Sequence, residues 1–325
     1  MRYTIFGESH GPAIGVTLEG VPAGLALDMD FIRSELARRA PGQNAMTTAR
    51  KEADEPEILS GVFEGKTTGT PLCAVIFNTD TRSRDYAQLK NLPRPGHADY
   101  AGFVRYQGCN DYRGGGHFSG RLTAPLVFAG AVAKLILKEK GVAVTARISN
   151  VAGIADPTPE EMEAAILAAK ADLDSVGGRI ACAVTGLPAG LGAPDFGCNV
   201  EGIFSQYLFA VPAVKAVGFG LGTGFADLRG SQANDPFYMD GDTVRTRTNH
   251  AGGVNGGITN GMPVTFEVTI RPTPSIAKEQ DTVDLSSHAD ARLAITGRHD
   301  PCIVPRAVPV IESAAALAAC EVLGI

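Results

Sequence analysis

Apolar and polar residues alternate along AIGVTLEG (13–20), a period of two that predicts a half-buried strand. GVPAGL (20–25) follows, and its glycines and proline predict a turn. Asp28 stands in an N-cap position ahead of Phe31, Ile32 and Leu36, so a helix is expected to run to Arg39 and stop at Pro41-Gly42. Two apolar runs within residues 58–78, ILSGVF and LCAVIF, predict strands. From 80 to 120 no period holds, and Arg, Gly, His and Tyr dominate; a loop is expected there. A loop that long in a compact domain is usually functional.

The most apolar stretch runs from Leu122 to Leu137, is interrupted by Lys134 and ends in KEKG. It is too short and too charged to span a bilayer and predicts a buried core helix closed by Gly141. VAVTARI (142–148) predicts a strand. Thr158-Pro159-Glu160-Glu161 combines a capping box with proline at the first helical position, so a helix is expected from 159 to about 173. RIACAVTGL (179–187) and MPVTFEVTI (262–270) predict strands, and residues 309–323 an apolar C-terminal helix. GLPAGL (186–191) echoes GVPAGL (20–25); each follows a strand and precedes a helical segment, 28–39 and about 199–209. The echo points to a pseudo-duplication with halves of about 1–150 and 151–325. No Pro- or Ser-rich linker divides them, so residues 1–325 are expected to form a single large domain. The expected class is α+β with a β-α-β sandwich-like core.

The 325 residues are 44% apolar, the composition of a folded chain. A net charge of −6 argues against nucleic acid or an anionic membrane as partner, so positive charge for an anionic substrate must be gathered locally. Six cysteines without C-x-x-C spacing predict reduced, buried thiols and a cytoplasmic protein. MRYTIFGESHG has no apolar run, so no signal peptide is expected. GVFEGKT (61–67) is one residue short of a P-loop, GFGLGTG (218–224) is not a dinucleotide fingerprint, and no histidine pair has zinc spacing; no metal is expected.

Two histidines lie in glycine-rich settings, His10 in GESHG and His97 in RPGHADY. Either alone is explained by structural hydrogen bonding, but both lie in glycine-rich loops and not on an apolar face, which lets a ligand approach. Arg38, Arg39, Arg94, Arg113, Arg121 and Arg298 lie at element ends or in loops, and as a set they suit a multiply charged anion. Asp300, two residues past Arg298, is a candidate base. NHAGGVNGG (249–257) and RPTPSI (271–276) offer backbone N–H groups to a flat or phosphorylated ligand.

Together, GESHG, RPGHADY, DYRGGG before S-x-R, NHAGG-x-x-GG, RPTPSI and GRHDPC-x-x-PRAVPV resemble the chorismate synthase family, in family order from residue 7 to about 311. The resemblance implies a 1,4-anti elimination of phosphate from 5-enolpyruvylshikimate 3-phosphate, with reduced FMN (FMNH2) as cofactor. It implies that His10 protonates the reduced flavin and His97 the departing phosphate. Ser9, Arg39, Arg94, Ser119, Arg121 and Arg298 would bind the substrate's phosphate and carboxylates. Asp300 would carry the carboxylate linked to proton handling at flavin N5. His117, Phe118, Ser119, Pro212, Ala213, Gly256, Arg271, Pro272, Thr273, Pro274, Ser275 and Arg298 would hold the flavin. A homotetramer is implied as well. No nicotinamide fingerprint is present, so a separate flavin reductase is the expected source of FMNH2. A flavin-binding paralogue without the elimination, and an ordinary flavin oxidoreductase, are the competing readings.

The family's GGGRSSARET reads GGGHFSGRLT here (114–123), and Ala45 and Met46 stand where relatives carry arginine, with Arg50 further on. His117 replaces a permanent charge with a titratable one. Affinity for flavin or substrate is therefore expected to fall more steeply with rising pH than in an Arg-bearing relative. Binding titrations across pH on both proteins check this, and equal slopes contradict it.

Overall fold

A computed structural model of the chain describes residues 1–42, 54–79, 89–195, 197–295 and 299–325. β1 (Arg2–Gly7) and β2 (Ala13–Glu19) form a hairpin that pairs Ile5 with Val16. β2 pairs with β6 (Leu72–Phe77) and β6 with β3 (Glu57–Ser60), all antiparallel, giving the order β1-β2-β6-β3. Gly61, at φ +85°, ends β3 before the short hairpin of β4 (Val62–Phe63) and β5 (Lys66–Thr67). The second antiparallel sheet has the order β10-β15-β9-β7-β8. Its strands are β7 (Ala143–Val151), β8 (Ile154–Ala155), β9 (Gly178–Thr185), β10 (Val214–Phe219) and β15 (Val264–Ile270). In β15, Val264, Phe266, Val268 and Ile270 are buried, and the residues between them are half-buried. Three hairpins complete the strands: β11 (Phe237–Asp240) with β12 (Thr243–Thr246), β13 (Val254–Asn255) with β14 (Ile258–Thr259), and β16 (Gln280–Asp284) with β17 (Ala289–Leu293).

The helices are α1 (Met29–Arg39), α2 (Asp99–Arg105), α3 (Thr123–Glu139), α4 (Pro159–Ala171), α5 (Val200–Phe209), α6 (Gly230–Ala233) and α7 (Val304–Val322). α3 packs on β2 and β6 of the first sheet, α7 packs on β7 and β9 of the second, and the two helices pack on each other. The result is an α+β fold with helices between two sheets. Nearly all of α3 and α7 is buried, which is why both read as continuous apolar runs. Arg113–Glu139 is long and apolar enough to cross a membrane by composition, yet 89% of its most apolar window is buried in this core. The two sheets share one plan. With the two-residue edge strand β8 set aside, each has its first, second, fourth and third strands in that order (β1-β2-β6-β3 and β7-β9-β15-β10), with a helix after the second of these (α1, α5) and another after the fourth (α3, α7). GVPAGL and GLPAGL follow the second strand of each.

The caps read from the sequence form as expected. Asp28 accepts from Phe31 N at 2.9 Å, and Thr158 and Glu161 make the capping box. Other expectations need correction. The 80–120 stretch contains α2, whose only buried residue is Gly102, so it has no apolar stripe to detect. The C-terminal helix begins at Val304 and not at 309, because Pro305 sits in the first turn, where no N–H is needed. Pro309 is accommodated inside it, and Ser313 Oγ donates to the Pro309 carbonyl at 2.7 Å. Cys182, Cys302 and Cys320 are buried, and burial pushes the Cys320 thiol up to about 12. Cys109 and Cys198, expected to be buried, are exposed; all six thiols are unpaired.

One ionic network ties the helix layer together. Glu312 of α7 accepts from Arg38 of α1 and Lys134 of α3, both at 2.6 Å, and from Ala146 N of β7 at 3.1 Å. Burial alone would raise the Glu312 carboxyl, but Arg38 and Lys134 hold it below the usual range. Glu312→Ala removes the carboxylate that ties α7 to Arg38 and Lys134, leaving both with Glu35, and is expected to cost about 2 kcal/mol, read by urea denaturation; a loss under about 1 kcal/mol would remove the network from the account. Because the folded-state carboxyl titrates low, its contribution is present above the ordinary glutamate range of about 4.3 and fades as pH falls. Glu312→Gln is therefore expected to lose less stability on acidification than the native chain.

Candidate functional site

The site begins with three glycines that adopt left-handed conformations. Gly114, Gly115 and Gly116 have φ of +59°, +89° and +54°. A Cβ on Gly114 would lie 2.1 Å from His10 Cε1, and one on Gly115 would lie 3.2 Å from His97 Nε2. The absent side chains thus let the edges of both imidazoles lie against one loop. Ser9, fully buried, anchors the other side: its N–H donates to Gly116 O at 3.2 Å. Its Oγ lies 3.2 Å from Gly114 O, 3.3 Å from Arg113 O and 3.2 Å from His10 Nδ1. The turn after β1 is thereby fixed beneath the loop.

The RPGHADY segment turns tightly into α2. Arg94 grips Asp99 through Nε to Oδ2 at 2.7 Å and Nη2 to Oδ1 at 2.8 Å, and His97 Nδ1 lies 2.6 Å from Asp99 Oδ1. Burial would raise the Asp99 carboxyl, but hydrogen bonds from Arg94 and His97 hold it well below the ordinary range. Arg94 also donates to Ser275 Oγ at 3.0 Å, which brings the RPTPS loop alongside. Arg271 N donates to Ala213 O at 3.0 Å and its guanidinium to Gly96 O, so Pro212-Ala213 joins the same wall. Ala213 is held there at φ +74°. Thr273 Oγ1 is enclosed with no hydrogen-bond partner among the described residues.

Positive charge collects where three helices end or begin. Arg39, the last residue of α1, donates to Asp54 at 2.5 Å, and Arg121, just before α3, donates to the other oxygen of Asp54 at 2.7 Å. Arg121 Nε donates to Asn78 at 2.6 Å, and Arg39 Nε to Thr123 at 3.1 Å. Arg306, in the first turn of α7, donates to Arg39 O at 3.0 Å and pairs with Asp300. Burial, opposed by Asp54 and reinforced by Arg306 and Arg121, lowers Arg39 to about 10, and it stays charged at neutral pH. Among the described residues the guanidiniums of Arg39, Arg121 and Arg306 converge here with the carboxylates of Asp54 and Asp300, a cluster of fixed cations of the kind that suits an anion. His299 adjoins this corner. Burial, then Arg94 and His97 against the opposing Asp300, lowers it to about 4, and among the described residues its Nε2 is enclosed without a partner.

The structure thus gathers Ser9, His10, Arg39, Arg94, His97, Arg121 and Asp300. Ser119 caps the turn before α3, accepting from Arg121 N at 3.3 Å. His117 is exposed, with Nδ1 2.9 Å from Gly7 O; Phe118 packs over Gly102, 6.2 Å from the Tyr106 ring. Two arginines expected in the set point elsewhere: Arg38 to Glu312, and Arg113 to Asp111 at 2.8 Å. Gly256 lies in the β13–β14 hairpin, whose bonds run to Val200 and Leu191 and not to the histidine loops. Arg298, Ala45, Met46 and Arg50 lie outside the described residues. Asp99, His299 and Arg306 were inside the motifs but not singled out; Asp54 and Asn78 carried no signal in the sequence.

Known proteins resemble this chain along nearly its whole length. The family model for chorismate synthase matches residues 1–323. The chain is 45% identical to the chorismate synthase of Dehalococcoides mccartyi, over 96% of this chain and 92% of that one. It is 46% identical to that of Thermococcus kodakarensis, over 97% and 94%. A crystal structure of a chorismate synthase matches with a TM-score of 0.77 at 28% identity, covering 99% of this chain and 91% of that one.

Gly115→Ala is expected to cost about 1–2 kcal/mol, the strain of a left-handed alanine, and to crowd the His97 edge. Activity should then fall by more than the thermal midpoint implies. An alanine variant with native turnover would show that this edge is not used.

Proposed function

Because the chain belongs to the chorismate synthase family of lyases, we propose that it eliminates phosphate from 5-enolpyruvylshikimate 3-phosphate by a 1,4-anti route, using reduced FMN. The observation that carries this reading is the loop Gly114–Gly116, which holds His10 and His97 beside a buried cationic corner.

As the substrate's carbon–oxygen bond breaks, negative charge gathers on the departing phosphate. Arg39, Arg121 and, in this reading, Arg298 bind the phosphate and carboxylates, with Ser9 and Ser119 beside them. Their charges are fixed before the reaction and shielded from water, where they act most strongly. His97 gives a proton to the departing group from the ring edge that Gly115 leaves clear. His10 holds a proton at the other end of the loop. Asp300, kept in place by Arg306, is assigned to proton handling beside the flavin ring.

The residues present fit a flavin. Phe118 offers an aromatic wall, Arg271 a cation, and Pro212-Ala213 and Pro272 to Ser275 a backbone wall; the enclosed Thr273 hydroxyl awaits a partner. His117, Phe118, Ser119, Pro212, Ala213 and the Arg271–Ser275 loop would hold it, with Arg298 and Gly256 as further contacts. Reduced FMN supplies electron density that eases carbon–oxygen cleavage, while the protein supplies orientation and charge. A homotetramer, a cytoplasmic location and a separate reductase belong to the same proposal. So does a pseudo-repeat, supported by the common strand order. On that reading the halves meet near Gly141, because β7 already belongs to the second sheet.

The test is an anaerobic assay with chemically reduced FMN, following phosphate and chorismate together. Release of both in equal amounts is expected, with little product from oxidised FMN and NADPH alone. Flavin binding without release would favour a paralogue whose chemistry was lost at residues 117–122; efficient NADPH-driven turnover would overturn the separate reductase.

A further inference from the structure

We propose that Asp99 is a positioning residue that locks His97 in the tautomer able to act from Nε2. The inference rests on reading the site as that of a phosphate-eliminating lyase.

His97 Nδ1 has two neighbours, Asp99 Oδ1 at 2.6 Å and Arg94 Nη2 at 3.1 Å. A carboxylate only accepts and a guanidinium only donates. If Nδ1 carried a lone pair, Arg94 could donate to it, but that lone pair would face the Asp99 oxygen at 2.6 Å, which is repulsive. If Nδ1 carries the hydrogen, it donates to Asp99, and Arg94 Nη2 donates to the same Asp99 Oδ1 at 2.8 Å. The second arrangement satisfies every atom and leaves Nε2 as the working nitrogen.

Asp99 is suited to hold and not to relay. It accepts from Arg94 N at 3.0 Å, from Arg94 Nε and Nη2, and from His97, which fills its acceptor sites. Arg94 is braced in turn by Ser275 at 3.0 Å. This clamp comes from residues spread over RPGHADY and RPTPSI, so the two motifs serve one ring. On the opposite edge, Gly115 keeps side-chain atoms off Cε1 and Nε2.

The proton balance follows. The imidazolium carries hydrogen on both nitrogens, with Nδ1–H on Asp99. The Nε2–H bond breaks, its electron pair stays on the ring, and an O–H bond forms on the departing phosphate. The ring is left neutral as the Nδ1–H tautomer, still bound to an unchanged carboxylate, and is reprotonated from water before the next turnover. Without Asp99, Arg94 would draw out the other tautomer, with the Nδ1 lone pair turned to the guanidinium.

Two measurements test this on the full chain. The first is the nitrogen-15 spectrum of histidine-labelled protein, with the His97 signal assigned by its loss in His97→Gln. Neutral His97 is expected as the Nδ1–H form; the Nε2–H form overturns the proposal even if no Asp99 variant folds. The second is the anaerobic assay of Asp99→Asn, with folding checked by circular dichroism. An amide must set its NH2 against Arg94 or against the ring, so kcat is expected to drop at least ~100-fold. KM should move much less than kcat, since Asp99 itself is not a substrate contact and Arg94 keeps its bond to Ser275, and Asp99→Glu should recover part of kcat. Native kcat in a folded Asp99→Asn protein overturns the proposal. If the unaltered chain releases no phosphate, the functional reading fails, while the spectrum still decides the tautomer.

Discussion

α3 and α7 lie as close as they do only because Gly130 lacks a Cβ, which would sit 2.1 Å from that of Ser313. That approach sets the spacing of the two sheets and the direction in which the helices end. Arg39 closes α1, Arg121 and Thr123 open α3, and Arg306 opens α7, so three helix ends meet in one corner. The starts of α3 and α7 add the positive ends of their dipoles to the guanidiniums. The ionic network around Glu312 fixes the helices against sliding, which would pull this corner apart. The cationic site is thus a consequence of helix packing as much as of its own contacts.

Burying Arg39 and Arg121 carries a desolvation cost, against which their shared contact with Asp54 is set. An entering anion offsets that cost, so ligand affinity and empty-site strain are two sides of one arrangement. The enclosed Thr273 hydroxyl and His299 Nε2 tell the same story for neutral groups: each lacks a hydrogen-bond partner among the described residues and lies beside residues assigned to ligands.

Much of the fold was legible because its signals are local. Asp28, Thr158 and Gly141 act within a few residues of where they stand, and the apolar run of α3 declares its burial. α2 was hidden because its apolar residues face solvent, and β1 because its residues are never fully buried. The site was half legible. Motif glycines named the histidine loops, but Arg38 and Arg39 are indistinguishable in sequence. Successive helix residues point about 100° apart, so one meets Glu312 and the other Asp54. Asp54 and Asn78 matter through partners 15 to 70 residues away, which no local pattern encodes. Asp99 was in view from the start, yet its role depends on a distance that spacing does not give.

The Met1 ammonium donates to the Ile325 carbonyl, so the two ends of the chain touch. They meet at the far end of α7, whose 19 residues span about 28 Å from the turn that carries Arg306. The backbone is in effect a ring cut at a place remote from its chemistry. A short peptide could close that ring, and the exposed turn at Gly241, between β11 and β12, could serve as the new opening. The order in which the strands leave the ribosome is then separable from the architecture they build, and cargo attached beside Met1 or Ile325 would sit far from the histidines.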